Sequence, residues 1–225
     1  MAPGDAVAPD GGLPVSLTVC AEPPSTTAAA VDLVRRGLAV FSLPPAGRRP
    51  ARGGWPARCL TEPSRVRDVW REGDNIGVAC RASRLVGLDL DVDGDGQARL
   101  AALAARIGKD WPDTLTVRTP SGGMHLYFRA PADCTIASLS GGRTALGQGI
   151  DVRGPGRRSG GYLIGPGSAV NGTPYVLSRD GTTGLGPSPV PTSHPPDPER
   201  LSARHRRRSG GPFPPWWRWA SRQRL

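Results

Sequence analysis

The sequence predicts an α+β fold rather than a doubly wound parallel one. Short runs rich in Val, Ile and Leu recur through the middle of the chain, separated by Gly, Pro and Ser turns. Three stretches read as helices, too few to place one between every pair of strands. Pro is concentrated toward the two ends, leaving a centre able to build a core.

The elements follow in order. Residues 1–25 are Pro/Gly-rich and non-periodic and read as a loose leader. From Thr26 to Leu38, Ala30, Val31, Val34 and Leu38 share one helical face, with Thr26 or Thr27 placed to cap the start and Gly37 near the end. A short strand, Ala39–Leu43, stops at Pro44-Pro45, and a second short helix spans Ser64–Arg71. Asn75–Ala79 and Leu85–Leu90 are strands. Gln97–Ile107 is the clearest helix, with Leu100, Leu103, Ala104 and Ile107 on one stripe. Leu115–Arg118, Met124–Arg129, Gly149–Val152, Gly161–Ile164 and Tyr175–Leu177 are short strands. A domain over 26–179 is therefore expected, followed over 180–225 by a Pro-rich linker and an Arg/Trp tail expected to be disordered.

Composition narrows the function. The 225 residues carry a formal net charge of +10, and Lys109 is the only lysine among 29 basic residues. Residues 199–225 hold eight arginines against Glu199, so the charge is concentrated there. A polyanionic partner suits this balance. No apolar run reaches the roughly 20 residues of a membrane span, and MAPGDAVAPD lacks the basic and apolar stretches of a secretory signal. A cytoplasmic protein with no membrane partner is expected. Cys20, Cys59, Cys80 and Cys134 include no C-x-x-C pair, so reduced thiols and no zinc are expected. No Walker A loop is present: Gly108-Lys109 is followed by Asp110.

The densest polar cluster, Asp89-Leu90-Asp91-Val92-Asp93-Gly94-Asp95-Gly96, follows an apolar strand. Residues two apart on a strand share a face, so Asp89 and Asp91 project together. Two adjacent carboxylates repel unless a cation neutralises them, and oxygen-only ligands favour Mg²⁺ or Mn²⁺. An EF-hand fails, because the twelfth position is Leu100 or Ala102 rather than Glu. Asp93 and Asp95 read more plainly as a solvated turn before the helix, with Asp95 stabilising its N-terminus.

Thr119-Pro120-Ser121-Gly122-Gly123-Met124-His125 is a turn entering a strand. Its glycines allow close backbone approach and offer N–H groups to an anion. His125 faces away from Met124 and Leu126, and its place after such a turn favours a phosphate contact over a packing role. In Gly149-Ile150-Asp151-Val152-Arg153-Gly154, Asp151 and Arg153 share a face. They form either a local ion pair or a third metal carboxylate beside an arginine that reaches phosphate; spacing alone leaves both open.

Together, GRRPARGGW (47–55), NIGVAC (75–80), VGLDLDVDGDG (86–96), TPSGGMHLYF (119–128), GIDVRG (149–154) and GGYLIGPGS (160–168) resemble, in kind and order, the N-terminal domain of bifunctional DNA primase/polymerases of the archaeo-eukaryotic primase superfamily. The likeness covers roughly 26–179. It departs where the family's usual lysine in the basic-Pro turn is replaced by Arg48 or Arg49. The resemblance implies an RNA-recognition-motif-like antiparallel or mixed sheet carrying the site, beside a smaller N-terminal α/β module. It implies Asp89, Asp91 and Asp151 as catalytic, metal-binding carboxylates for Mg or Mn. Ser121, Gly122, Gly123, His125 and Arg153 would bind the nucleotide, and Arg48 and Arg49 nucleic acid. The implied reaction is template-directed nucleotidyl transfer by a DNA primase/polymerase of replication or of plasmid- or phage-type elements. Single-stranded DNA and nucleoside triphosphates would be its partners, with a separate helicase as a further one. A non-catalytic single-stranded DNA-binding module and a metal-dependent nuclease are the competing readings.

Overall fold

A computed structural model of the chain describes residues 24–178. Nearly all of the expected leader, and the whole linker and tail over 180–225, lie outside the described residues. The elements are α1 (Thr26–Arg35), β1 (Val40–Leu43), a 3-10 turn (Trp55–Arg58), α2 (Pro63–Val69), β2 (Asn75–Ala79), β3 (Leu85–Leu90), α3 (Gly96–Arg106), β4 (Leu115–Arg118), β5 (Met124–Arg129), β6 (Ile150–Arg153), β7 (Tyr162–Ile164), β8 (Ala169–Val170), β9 (Thr173–Pro174) and β10 (Val176–Leu177). The fold is α+β, as expected, and its strand pairs are antiparallel throughout.

Five strands form the larger sheet in the order β10-β4-β5-β3-β6. Alternation along β3 divides the interior in two. Val86, Leu88 and Leu90 point to one side, where Leu126, Phe128, Ile150 and Val152 join them against Leu100 and Leu103 of α3. Leu85 points to the other side, with Leu115, Val117 and Tyr127, and packs toward the second sheet and α1. Asp89 lies on this second side, at the strand's polar end. Gly87 precedes it there: a Cβ at this position would run into the Leu163 side chain, so the missing side chain is what lets β7 lie across the sheet.

The second sheet runs β1-β2-β7. Its third strand comes from the far half of the chain, with Gly77 opposite Ile164 and Ala79 opposite Tyr162. The smaller module is therefore not N-terminal alone. Asn75 and Ser168 hold this junction: the Asn75 amide bonds the Gly47 and Ala169 carbonyls (2.9 and 2.8 Å), and Ser168 Oγ accepts from the Ile76 N–H (2.8 Å).

Two helix starts differ from expectation. Ser25, not Thr26 or Thr27, caps α1, accepting from the Ala28 N–H. Both threonine hydroxyls and both of their N–H groups are instead bonded to the Glu72 carboxylate, at 2.7 to 3.2 Å. Asp95 stands at the start of α3, but its backbone is left-handed (φ 51°) and its side chain makes no capping bond. Backbone crowding sets the turn there. A Cβ on Gly96 would strike the Gly149 carbonyl, and Asp91 N–H donates to that same oxygen at 2.8 Å.

Candidate active site

Three neighbouring strands bring three polar residues into one row. Asp89 on β3 lies opposite His125 on β5 and opposite Asp151 on β6. Directly paired residues of antiparallel strands project from the same face, so these side chains share the surface that looks toward β7. Arg153, two residues beyond Asp151, joins them from the next row, opposite Gly87.

The row is closely bonded. His125 Nε2 is 3.3 Å from Asp89 Oδ1, and its Nδ1 is 3.1 Å from the Ile164 carbonyl, which also accepts from Tyr127 Oη. Each imidazole nitrogen thus faces an oxygen, and the ring donates to both only when it carries both protons. Arg153 bridges the two carboxylates, 3.5 Å from Asp89 Oδ2 and 3.0 Å from Asp151 Oδ2, and donates to Ser140 Oγ at 2.6 Å. The Gly141 N–H donates to the other Asp151 oxygen at 3.0 Å. The local Asp151–Arg153 pair read from the sequence is therefore present, with Asp89 added to it.

Asp91 behaves differently. It stands just past the end of β3, solvent-exposed, with its backbone tied to Gly149 and Gly96. Burial, then the charges of Asp89 and Asp151, raise its carboxyl above the ordinary value, with Arg153 opposing. Burial also pushes Asp89 upward and is the largest single influence. The bond and charge of His125, together with Arg153, outweigh it and leave Asp89 below the ordinary value.

These residues line a cleft of about 510 Å³ between the two sheets. Asp89, Asp91, Ser121, His125, Arg153, Arg48 and Arg49, all expected site residues, lie on its walls. Asp151 adjoins it through Arg153. Gly122 and Gly123 shape the turn rather than line the cleft: the Gly122 N–H is used within the turn on the Thr119 carbonyl, and a Cβ on Gly123 would strike the Leu90 carbonyl. His125 is 4% exposed with both nitrogens engaged, so a phosphate contact would require exchanging one bond. Sequence reasoning missed Trp55, Thr119, Ser138, Tyr162 and Tyr175 as cleft walls, and Ser140 as the residue that fixes Arg153. Only Trp55 carried a signal, as the aromatic after the basic-Pro turn.

Among the described residues no group of three or more His, Cys, Asp and Glu side chains is placed to hold a metal ion. The donor chemistry nevertheless fits a hard divalent cation. The charges of Asp89 and Asp151 both act on Asp91, and the set is oxygen-only. Among the described residues no helix is long and apolar enough to cross a membrane. The free thiols Cys59, Cys80 and Cys134 stand outside the cleft walls, and burial pushes Cys80 up to about 12.

Among curated proteins none matches the chain. The family model for the N-terminal domain of bifunctional DNA primase/polymerase, Prim-Pol, matches residues 30–197, a span containing every strand and every residue of the cleft. A match over three-quarters of the sequence places this chain in the Prim-Pol family.

Proposed function

We propose that the protein is a nucleotidyltransferase that assembles DNA on a single-stranded template from nucleoside triphosphates, as a primase/polymerase of replication or of plasmid- or phage-type elements. The observation that carries this reading is the row His125–Asp89–Asp151, paired across three adjacent strands with Asp91 just past the end of β3, in a cleft rimmed by Arg48 and Arg49. A surface that only bound DNA would gain nothing from three clustered carboxylates facing a polyanion. The strand order β4-β5-β3-β6 with α3 packed behind supports reading the sheet as RNA-recognition-motif-like.

In this mechanism Asp89, Asp91 and Asp151 would hold Mg²⁺ or Mn²⁺. Those carboxylates would hold the ions where they would supply activation of a 3′-hydroxyl and charge stabilisation of a pyrophosphate. His125 orients the Asp89 carboxylate through Nε2 while the Ile164 carbonyl fixes the ring. Arg153 keeps Asp89 and Asp151 side by side, and its guanidinium would offer N–H groups to the triphosphate. Ser121 and its turn would meet the triphosphate, and Arg48 and Arg49, also on the cleft wall, would meet the nucleic acid.

The test is incorporation of labelled nucleotide on a bare single-stranded template with Mg²⁺ or Mn²⁺. Template-dependent extension supports the reading. Template degradation would indicate a nuclease, and binding without either reaction a non-catalytic module.

A further inference from the structure

The cleft is the first of three adjoining hollows. The second, about 300 Å³, shares Trp55 with the cleft and is lined further by Cys59, Arg81 and Ser159. The third, about 350 Å³, shares Arg81 with the second and adds Arg84, Asp133 and Arg157. One loop walls all three: Gly160 and Gly161 border the first, Ser159 the second, and Pro155, Gly156 and Arg157 the third.

Charge and ring placement run the same way. Arg81, Arg84 and Arg157 are exposed. Arg81 donates to the Gly156 carbonyl (2.9 Å), and among the described residues no ion pair engages Arg81, Arg84 or Arg157. Asp133 is the one carboxylate in the outer two hollows. Three exposed arginines against one carboxylate give the outer hollows a positive potential that draws an anion. Trp55, at the junction with the cleft, is stacked on Phe41 with centroids 4.5 Å apart and braced edge-on by Tyr162 at 5.2 Å. It is half-buried, a rigid ring with part of its surface open to both hollows.

We propose that the three hollows form one track for single-stranded nucleic acid, in which the strand leaves the cleft across Trp55, stacks a base there, and lays its phosphates on Arg81, Arg84 and Arg157. Stacking requires an unpaired base, and a basic groove interrupted by an aromatic platform is how single strands are held without sequence readout. The inference rests on the proposed reading of the cleft only in sharing its single-stranded partner.

The experiment measures binding of oligothymidylates of graded length to the full chain by fluorescence anisotropy, without divalent cation or nucleotide. A failure of catalysis therefore leaves this measurement intact. The arginine-rich tail is the same in every protein compared. The double variant Arg81→Glu, Arg157→Glu should bind long oligonucleotides at least tenfold more weakly than the parent while binding the shortest within about twofold. Its salt dependence should be shallower by about 0.7 for each phosphate it no longer neutralises. Trp55→Leu, which keeps an apolar side chain against Phe41, should weaken long-oligonucleotide binding about five- to a hundredfold. Should the double variant fail to fold, Trp55→Leu decides alone. Equal losses at all lengths, or undiminished binding of long strands, would overturn the track. Inorganic phosphate that displaces long and short strands alike would also overturn it, because strands too short to reach the outer hollow would then share every phosphate contact with the long ones.

Discussion

Asp89 and Asp91 are two residues apart on one strand end, yet folding treats their charges oppositely. Asp89 is buried to 22% side-chain exposure and held by His125 and Arg153, which keep its carboxyl below the ordinary value. A carboxylate depressed in the folded state contributes stability above the unfolded value and loses it as pH falls through the folded one. Asp91 is exposed and raised by burial and by its neighbours' charges. Its ionised form opposes folding, and protonation relieves that opposition as pH falls. Asp89→Asn should therefore lower the cation-free melting transition, by about 1–2 kcal/mol, because two charge-assisted contacts lose their anion. Asp91→Asn should leave it within about 0.5 kcal/mol of the parent, at or above it. Thermal unfolding in chelator at neutral pH measures both; a more stable Asp89→Asn protein would mean that the His125 and Arg153 contacts do not form.

Among the elements, α1 shows how tertiary contact overrides a local signal. Glu72, just past α2, gathers the Thr26 and Thr27 N–H groups and hydroxyls at the helix start, and chiefly the Thr27 hydroxyl bond takes its carboxyl down to about 2. This stability is present above the ordinary carboxylate value and lost as pH falls from about 4.5 toward about 2. Glu72 is solvent-exposed, which holds the effect near the lower end for a cap. Glu72→Gln should cost about 0.5–1 kcal/mol at neutral pH and flatten the acid limb of the stability curve. Equal stability of the two proteins from pH 7 to 3 would contradict this assignment. The bond also explains why the cap was misplaced in sequence: Thr26 and Thr27 are good capping residues, and nothing local shows their hydroxyls committed to a residue 45 positions away. Strands β2 to β5 were legible because their apolar runs stop at Gly, Pro or polar turns, and alternation placed His125 opposite Met124 and Leu126. The pairing of β7 with β2 was not legible. Three residues at 162–164 hold no information about a partner at 77–79, and only Gly87 and Leu163 in contact reveal why they cross. In the site, shared-face logic found Asp151 with Arg153. The loop supplying Ser140 and Gly141 to them has no sequence pattern that predicts it.

For the whole molecule, charge and site are separated along the chain. The carboxylate row belongs to the folded centre, whereas residues 199–225 carry eight arginines against Glu199, interspersed with Trp216, Trp217 and Trp219. If that segment holds phosphates and stacks bases, its deletion should weaken single-strand binding similarly for every sequence. The salt dependence should flatten by about 0.7 for each phosphate the segment neutralised. Incorporation at saturating template should persist. An unchanged salt slope after deletion would show that the segment is not a nucleic-acid arm.

The central claim is that the row of carboxylates between His125 and Arg153 performs nucleotidyl transfer. The most direct measurement compares template-directed incorporation by the parent protein and by Asp91→Asn, the substitution expected to leave the fold intact, with Mg²⁺ or Mn²⁺ and with template binding followed in parallel. Extension by the parent is expected, with a drop in extension by Asp91→Asn of at least about a hundredfold and template affinity undiminished in the variant. Extension by Asp91→Asn at the parent's rate, or no extension by a folded, template-bound parent with either metal, would contradict the claim.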